Sequence, residues 1–319
     1  MTSEEILKKY SISDEEKEKI GEIAEGILTY NKKPVDKPIC VIVGGQTGAG
    51  KSGLIAYSSK MFPNGNVIVL EDDSLRHFYP NEQFLSENYP NEYIAITNQL
   101  TNGLTSQLFN KFAQQGYNLI FHQTLKNPRI ANEGIPMLRE NGYSVVVRGL
   151  AVCDYESRMS MVERCLGQLE YKGYCRNVTV SDHNNTYNGM PGTVEYIEQN
   201  GRYDVLEIFK RGEELEYPQL VYAKANPQRP GAVVNIARHP EVSGVDKSFG
   251  HEDAKDALLT AREEDRAEFL AGNPAIERKS YAERADDVQS NPYLTPVIAE
   301  QFIDLQSLIA QGSVQDPTE

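Results

Sequence analysis

Hydrophobic positions near the start of the chain recur at helical spacing. Thr2 with Glu5, and Ser13 with Glu16, stand in the capping-box arrangement, in which the hydroxyl accepts from an early backbone amide and the acid reaches back to the cap. After the second box Ile20, Ile23, Ile27 and Leu28 recur, which predicts an amphipathic helix docking through one face, and Pro34 and Pro38 end the helical region. From residue 39 the pattern changes to short apolar runs at 39–43, 67–70, 117–121 and 143–147, each too short for a helix and rich in β-branched or aromatic residues. Weaker runs follow at 205–209 and 219–222. The runs are continuous rather than alternating and are separated by helix-length intervals. That combination predicts an α/β fold whose parallel sheet is covered by helices on both faces.

The segment from Asn226 to Gly231, with Pro227 and Pro230, is the clearest break in the chain. Beyond it Ala, Glu, Asp and Arg dominate, and residues 252–311 read as charged helices interrupted at Asn273-Pro274 and Asn291-Pro292. The expected organisation is an N-terminal helical segment over 1–33, an α/β core with a helical lid over 34–231, and a helical C-terminal extension over 232–319.

Composition sharpens this picture in a few places. The 319 residues carry 32 Lys plus Arg and 46 Asp plus Glu, a formal charge of −14, with 39% hydrophobic positions. An acidic chain lacks the basic field of a nucleic-acid surface, but a small anionic ligand needs only local donors. No stretch approaches the ~20 apolar residues of a membrane span, and the N-terminus has no apolar signal region, so a cytoplasmic protein without a membrane partner is expected. Cys40, Cys153, Cys165 and Cys175 show no metal-ligand spacing and are expected to be reduced thiols.

The strongest chemical signal is Gly45-Gln46-Thr47-Gly48-Ala49-Gly50-Lys51-Ser52, a full GxxxxGK[ST] phosphate-binding loop between a predicted strand and a helix. Its glycines let backbone amides wrap phosphate oxygens, Lys51 reaches the outer phosphates, and Ser52 is placed to ligate Mg²⁺. A nucleoside triphosphate with Mg²⁺ is the implied ligand. No guanine-reading Asn-Lys-x-Asp motif is present, and the third strand runs into His122-Gln123-Thr124 rather than a Walker B acid. Acids stand instead after the second strand, in Glu71-Asp72-Asp73, where a small-molecule kinase holds a carboxylate near its acceptor hydroxyl. Aspartates at a strand-to-helix junction also cap helices, and the two members of the pair can divide these roles.

The stretches Gly44-Gly45-Gln46-Thr-Gly-Ala-Gly-Lys51-Ser52, Asn66-Val-Ile-Val-Leu-Glu-Asp-Asp73 and Gln115-Gly-Tyr-Asn-Leu119 resemble the zeta toxin family of bacterial toxin–antitoxin systems, over roughly residues 39–212. The resemblance implies a P-loop kinase fold that transfers the γ-phosphate of ATP to the 3′-hydroxyl of the amino-sugar in UDP-N-acetylglucosamine. It implies Asp73 as the base, and two arginines on the helical lid, falling on Arg164 and Arg176, as the triphosphate clamp. It also implies a small antitoxin protein that blocks the nucleotide site.

The acceptor half departs from the family pattern. The Glu-Gly-Thr after the third strand is His122-Gln123-Thr124 here, the acidic residue on the preceding helix aligns with Ser106, and a substrate-contacting arginine aligns with Lys126. Lys126 keeps the charge but loses the planar fork. His122 would orient an acceptor, or titrate near neutral pH, or be a satisfied buried histidine. Three outcomes stay open: the family's sugar nucleotide, another nucleotide-linked hydroxyl such as the ribose of NAD, or an ATP-binding regulatory protein with lost transfer.

Overall fold

In the computed structural model, described for residues 1–173, 175, 178–212, 217–239, 246–274 and 278–314, both capping boxes form and start α1 (Ser3–Lys9) and α2 (Asp14–Leu28). Strand β1 (Ile39–Gly44) leads through the glycine loop into α3 (Lys51–Ser59). Then come β2 (Ile68–Leu70), the short α4 (Asp72–Arg76), α5 (Glu82–Asn88) and the long α6 (Tyr93–Gln115). Next are β3 (Leu119–Gln123), α7 (Ile135–Glu140), β4 (Ser144–Ala151), α8 (Asp154–Lys172) and α9 (Val180–Gln199). The chain continues through β5 (Val205–Lys210), β6 (Gln219–Ala225) and α10 (Pro230–Ile236). It ends on α11 (Ala254–Ala271), α12 (Tyr281–Gln289) and α13 (Pro296–Val314).

The sheet order is β2-β3-β1-β4-β5-β6, with β6 antiparallel at the edge and the other pairings parallel. Side chains alternate between two apolar layers. Cys40 and Ile42 of β1 face α6, whose Leu100, Leu104, Leu108 and Phe112 are buried, while Ile39, Val41 and Val43 face Leu54 and Ile55 of α3. Burial on both faces is why the strands read as unbroken apolar runs. Because β1 is followed by strands on one side and β4 lies on its other side, the chain direction switches there. The carboxyl ends of β1, β3 and β4 then open onto a crevice.

Three differences from the sequence pattern have physical reasons. Strand β3 reaches Gln123 because it pairs with β1 up to Gly44↔Gln123, extending the ladder into polar residues. Strand β4 continues past residue 147 because Arg148, fully buried, pairs with Glu207 of β5 at 2.8 Å and donates to the Ser58 hydroxyl of α3. On α2 the docking stripe is Ile20, Ala24 and Leu28 at four-residue spacing against α6, which leaves Ile23 and Ile27 56% and 59% exposed beside it.

The C-terminal helices pack into the body of the molecule. Ala257, Leu258 and Ala261 of α11 join the core on the α6 face of the sheet. Phe269 of α11, Val288 of α12 and Phe302 and Leu305 of α13 form a third cluster with Val162 and Leu166 of α8. Cys40 and Cys153 are buried free thiols as expected. Cys165 and Cys175 correct the expectation of four reduced thiols: they form a disulfide, brought together because the chain turns back at Gly173 and sets their Cα atoms 5.0 Å apart. Among the described residues no helix is long and apolar enough to cross a membrane.

Candidate functional site

Lys51 opens α3, so the amides of its first turn point toward the crevice with the positive end of the helix dipole. Gly48 has φ of +80°, and a Cβ there would lie 1.9 Å from the carbonyl oxygen of Ser157, so only glycine lets the loop pass beneath α8. Gln46 is fully buried and turned away from the crevice. Its Nε2 donates to the carbonyl of Val152 at 2.8 Å and to the Ser157 hydroxyl at 3.2 Å, tying the loop to the β4–α8 junction. The Lys51 ammonium donates to the carbonyl of Gln46 at 2.8 Å, which folds the lysine back over the loop.

The crevice holds about 1210 Å³. Thr47, Gly48, Gly50, Lys51 and Ser52 form its floor, and Asp73, His122, Thr124 and Lys126 line it, as does Arg164 from α8. Gly45, Gln46 and Ala49 do not line it, and Ala49 is fully buried. Ser106 is exposed on α6 and away from the lining, whereas Asn102, one turn earlier, lines it. Arg176 lies outside the described residues.

The acidic pair divides. Neither aspartate caps α4, whose N-cap is Glu71. Asp72 accepts from the Thr105 hydroxyl of α6 at 2.6 Å, which anchors the short helix. Asp73 is 47% exposed to the crevice, with its carboxylate 3.4 Å from Nε of the buried Arg76. Arg76 is itself held by the Thr97 hydroxyl at 2.6 Å.

At the end of β3, His122 has Nδ1 3.9 Å from Glu71 and a buried Nε2 with no hydrogen-bond partner. Burial, and then the neighbouring Lys51 charge, push its pKa down to about 3. His122 is therefore a neutral imidazole rather than a group that titrates near neutral pH. Leu125, between Thr124 and Lys126, is buried with φ of 53°, a left-handed conformation costly for a branched side chain. Gly189 of α9 braces this loop: a Cβ there would lie 2.1 Å from the carbonyl oxygen of Lys126.

Arg164 has a buried Nε without a hydrogen-bond partner, and burial lowers its pKa. An unsatisfied buried donor in a crevice suits an anionic ligand. The donor set also fits Mg²⁺. Ser52, Asp72 and Asp73, all oxygen-bearing side chains, line one crevice with the phosphate loop. Such a site suits an ion that arrives with phosphate oxygens and keeps several waters.

Sequence reasoning missed several residues of the crevice: Arg76, Asn102, Arg129, Glu156, Arg211, Arg278 and Arg284. Arg211 stands directly after β5, and a charged residue at the carboxyl end of a parallel strand was a usable signal. Arg278 and Arg284 lie in a uniformly charged helical region that offers none.

The chain matches the zeta toxin family model over residues 24–219. It is 23% identical to toxin zeta of Streptococcus pyogenes over 253 residues, covering 78% of this chain and 86% of that one. It is 24% identical to toxin PezT of Streptococcus pneumoniae over 191 residues, 60% of this chain and 75% of that one. A solved structure from the PezAT chromosomal toxin–antitoxin system of Streptococcus pneumoniae superposes with a TM-score of 0.64 at 18% identity, covering 88% of this chain and 98% of that one. That likeness shows a common fold.

Proposed function

The chain belongs to the zeta toxin family of toxin–antitoxin kinases, and from that premise we propose that it transfers the γ-phosphate of ATP to a hydroxyl of UDP-N-acetylglucosamine or a related nucleotide-linked acceptor. The observation that carries this reading is one crevice in which the phosphate loop through Lys51 and Ser52 faces Asp73. In-line transfer needs the acceptor oxygen between these two groups, with a base on its outer side. Asp73 takes the acceptor proton. Lys51 and Arg164, with Arg176 as the second arginine of the clamp, neutralise charge spread over the transferring phosphoryl group. Ser52 would hold Mg²⁺, which when bound would neutralise further phosphate charge.

Ser106, His122, Thr124 and Lys126 are the family-aligned acceptor positions. Of these, His122, Thr124 and Lys126 orient the acceptor, and Asn102 occupies the place on α6 that Ser106 does not. His122 is neutral, with a buried Nε2, where the family pattern has a glutamate, so it offers the acceptor no anionic oxygen. That difference favours including a dinucleotide such as NAD among the substrates tested. A small antitoxin that occupies the nucleotide crevice is the proposed partner.

The test is incubation of the purified protein with ATP, Mg²⁺ and a panel of sugar nucleotides and dinucleotides. Phosphorylated product from one acceptor is expected, and its loss in Asp73→Ala. Tight ATP binding with no transfer to any acceptor would instead mark a nucleotide-binding regulator.

A further inference from the structure

Glu156, in the first turn of α8, is 1% exposed, yet its carboxylate receives three arginines. Arg211 donates through Nη1, Arg278 through Nη2 at 2.9 Å and Arg284 through Nη1 at 2.6 Å. Two of these come from the C-terminal region, beyond the residues the family model matches. Burial would raise the Glu156 carboxyl, but the Arg211 and Arg284 charges overcome it and hold its pKa at about 2.

The other end of Arg211 rests on the phosphate loop. Its Nε donates to the carbonyl of Ala49 at 3.1 Å and its Nη2 to the carbonyl of Gly48. The carbonyls of Gly48 and Ala49 are loop acceptors that need donors. Arg211, itself in the crevice wall, supplies a donor to each of them. A lone arginine on a loop would have several rotamers, so its fork needs an anchor, and Glu156 with the Ser160 hydroxyl at 3.2 Å provides one.

The anchor is held in turn. Arg284 of α12 also grips Glu163 of α8, the helix that carries Glu156, in a bidentate pair at 2.7 and 2.6 Å. Arg278 also donates to Asp265 and Glu268 of α11, at 2.8 and 3.0 Å. The chain of contacts runs unbroken from α11 and α12 to the loop.

We infer that the C-terminal helices position the phosphate-binding loop: Arg278 and Arg284 hold Glu156, Glu156 holds Arg211, and Arg211 holds the carbonyls of Gly48 and Ala49. Arg278, Arg284, Glu156 and Arg211 also border the crevice; the role inferred for them is positioning, exerted through the loop. The inference rests on the reading of this crevice as the ATP site and adds that residues beyond 231 are part of it.

The experiment is calorimetric titration of the full chain with ATP, alongside ATP KM and kcat and a melting curve for each variant. The variants are Arg211→Met, the pair Arg278→Met with Arg284→Met, and the three together. Arg211→Met is expected to weaken ATP binding roughly tenfold to a hundredfold, the size of one charge-assisted hydrogen bond, and to raise the ATP KM while kcat stays within about threefold. The pair is expected to weaken binding by a comparable factor, and the triple variant to be no weaker than Arg211→Met alone, because a relay broken once cannot be broken again. Should the pair fail to fold, Arg284→Lys and Arg211→Lys replace it, each expected to give a loss of about threefold to tenfold from charge kept without the fork. Losses that multiply in the triple variant, or variants that bind ATP as the parent does, overturn the relay and leave the kinase reading intact. A parent chain that binds no ATP overturns both.

Discussion

At the scale of single residues, Asp73 and Asp72 show how neighbouring identical side chains take different work. Asp72 is bonded to Thr105 and anchors a five-residue helix, while Asp73 faces the crevice. Asp73→Asn should therefore lower turnover about a hundredfold to ten-thousandfold with ATP affinity within about threefold of the parent, read by initial rates and calorimetry. Asp72→Asn should instead lower the melting temperature. His122 makes a second prediction. Since burial and Lys51 depress its pKa to about 3, protonation is resisted through the neutral range, and the group stays neutral until the pH nears 3. The pH–rate profiles of the parent and His122→Asn should have the same shape between pH 5.5 and 8, whatever the change in rate. An inflection near 6.5 that only the parent shows would contradict this. Lys51, Ser52 and Asp73 were legible in the sequence because each sits at a fixed short offset within a strand–loop–helix unit. Asn102 was not, since only tertiary packing brings it to the crevice, whereas Arg76, one turn after Asp73 on α4, and Arg211, directly after β5, left a positional signal that went unused. Likewise Gly173 turns Cys175 back onto Cys165, a proximity that residue spacing alone does not express.

At the scale of elements, the crevice is set by contacts between backbones that leave no room for a side chain. Helix α9 meets the loop of residues 124–126 at Gly189, where an added methyl would press on the Lys126 carbonyl. Gly189→Ala should shift the loop that carries Thr124 and Lys126 and raise the acceptor KM about tenfold, while the ATP KM stays within about twofold. Rates measured at varied acceptor and fixed ATP, then the reverse, separate the two. The elements themselves were largely legible: the apolar runs fall on all six strands, and the C-terminal helices break where the Asn-Pro pairs stand. The ends of β3 and β4 were not, because hydrogen bonding to β1 carries β3 through polar residues and a buried ion pair carries β4 through Arg148. The buried stripe of α2 was shifted for a similar reason: the partner surface on α6 chooses which of several apolar positions docks.

At the scale of the whole molecule, charge that looks like surface excess in the composition is partly interior. Glu156 has its pKa held near 2, below the ordinary 4.5, and so binds its proton more weakly in the folded chain than in the unfolded one. Its contribution to stability is complete above about pH 4.5 and is lost as the pH falls toward 2, on the order of a few kcal/mol from this group. Glu156→Gln should flatten the fall of melting temperature over that window and lower the melting temperature at pH 7. Acid titration followed by calorimetry checks both. Another interior charge has a different consequence. Arg148 and Glu207 stand opposite each other across β4 and β5, both within 1% of complete burial. If the two strands paired one residue out of step, one of these side chains would be sent to the opposite face of the sheet. An ion left alone in the apolar interior costs about 3–5 kcal/mol. The pair thus ties the crevice to one register of β4 and β5: a sheet paired out of step carries that penalty, and the strand ends from which the site is built are aligned only in the register that avoids it.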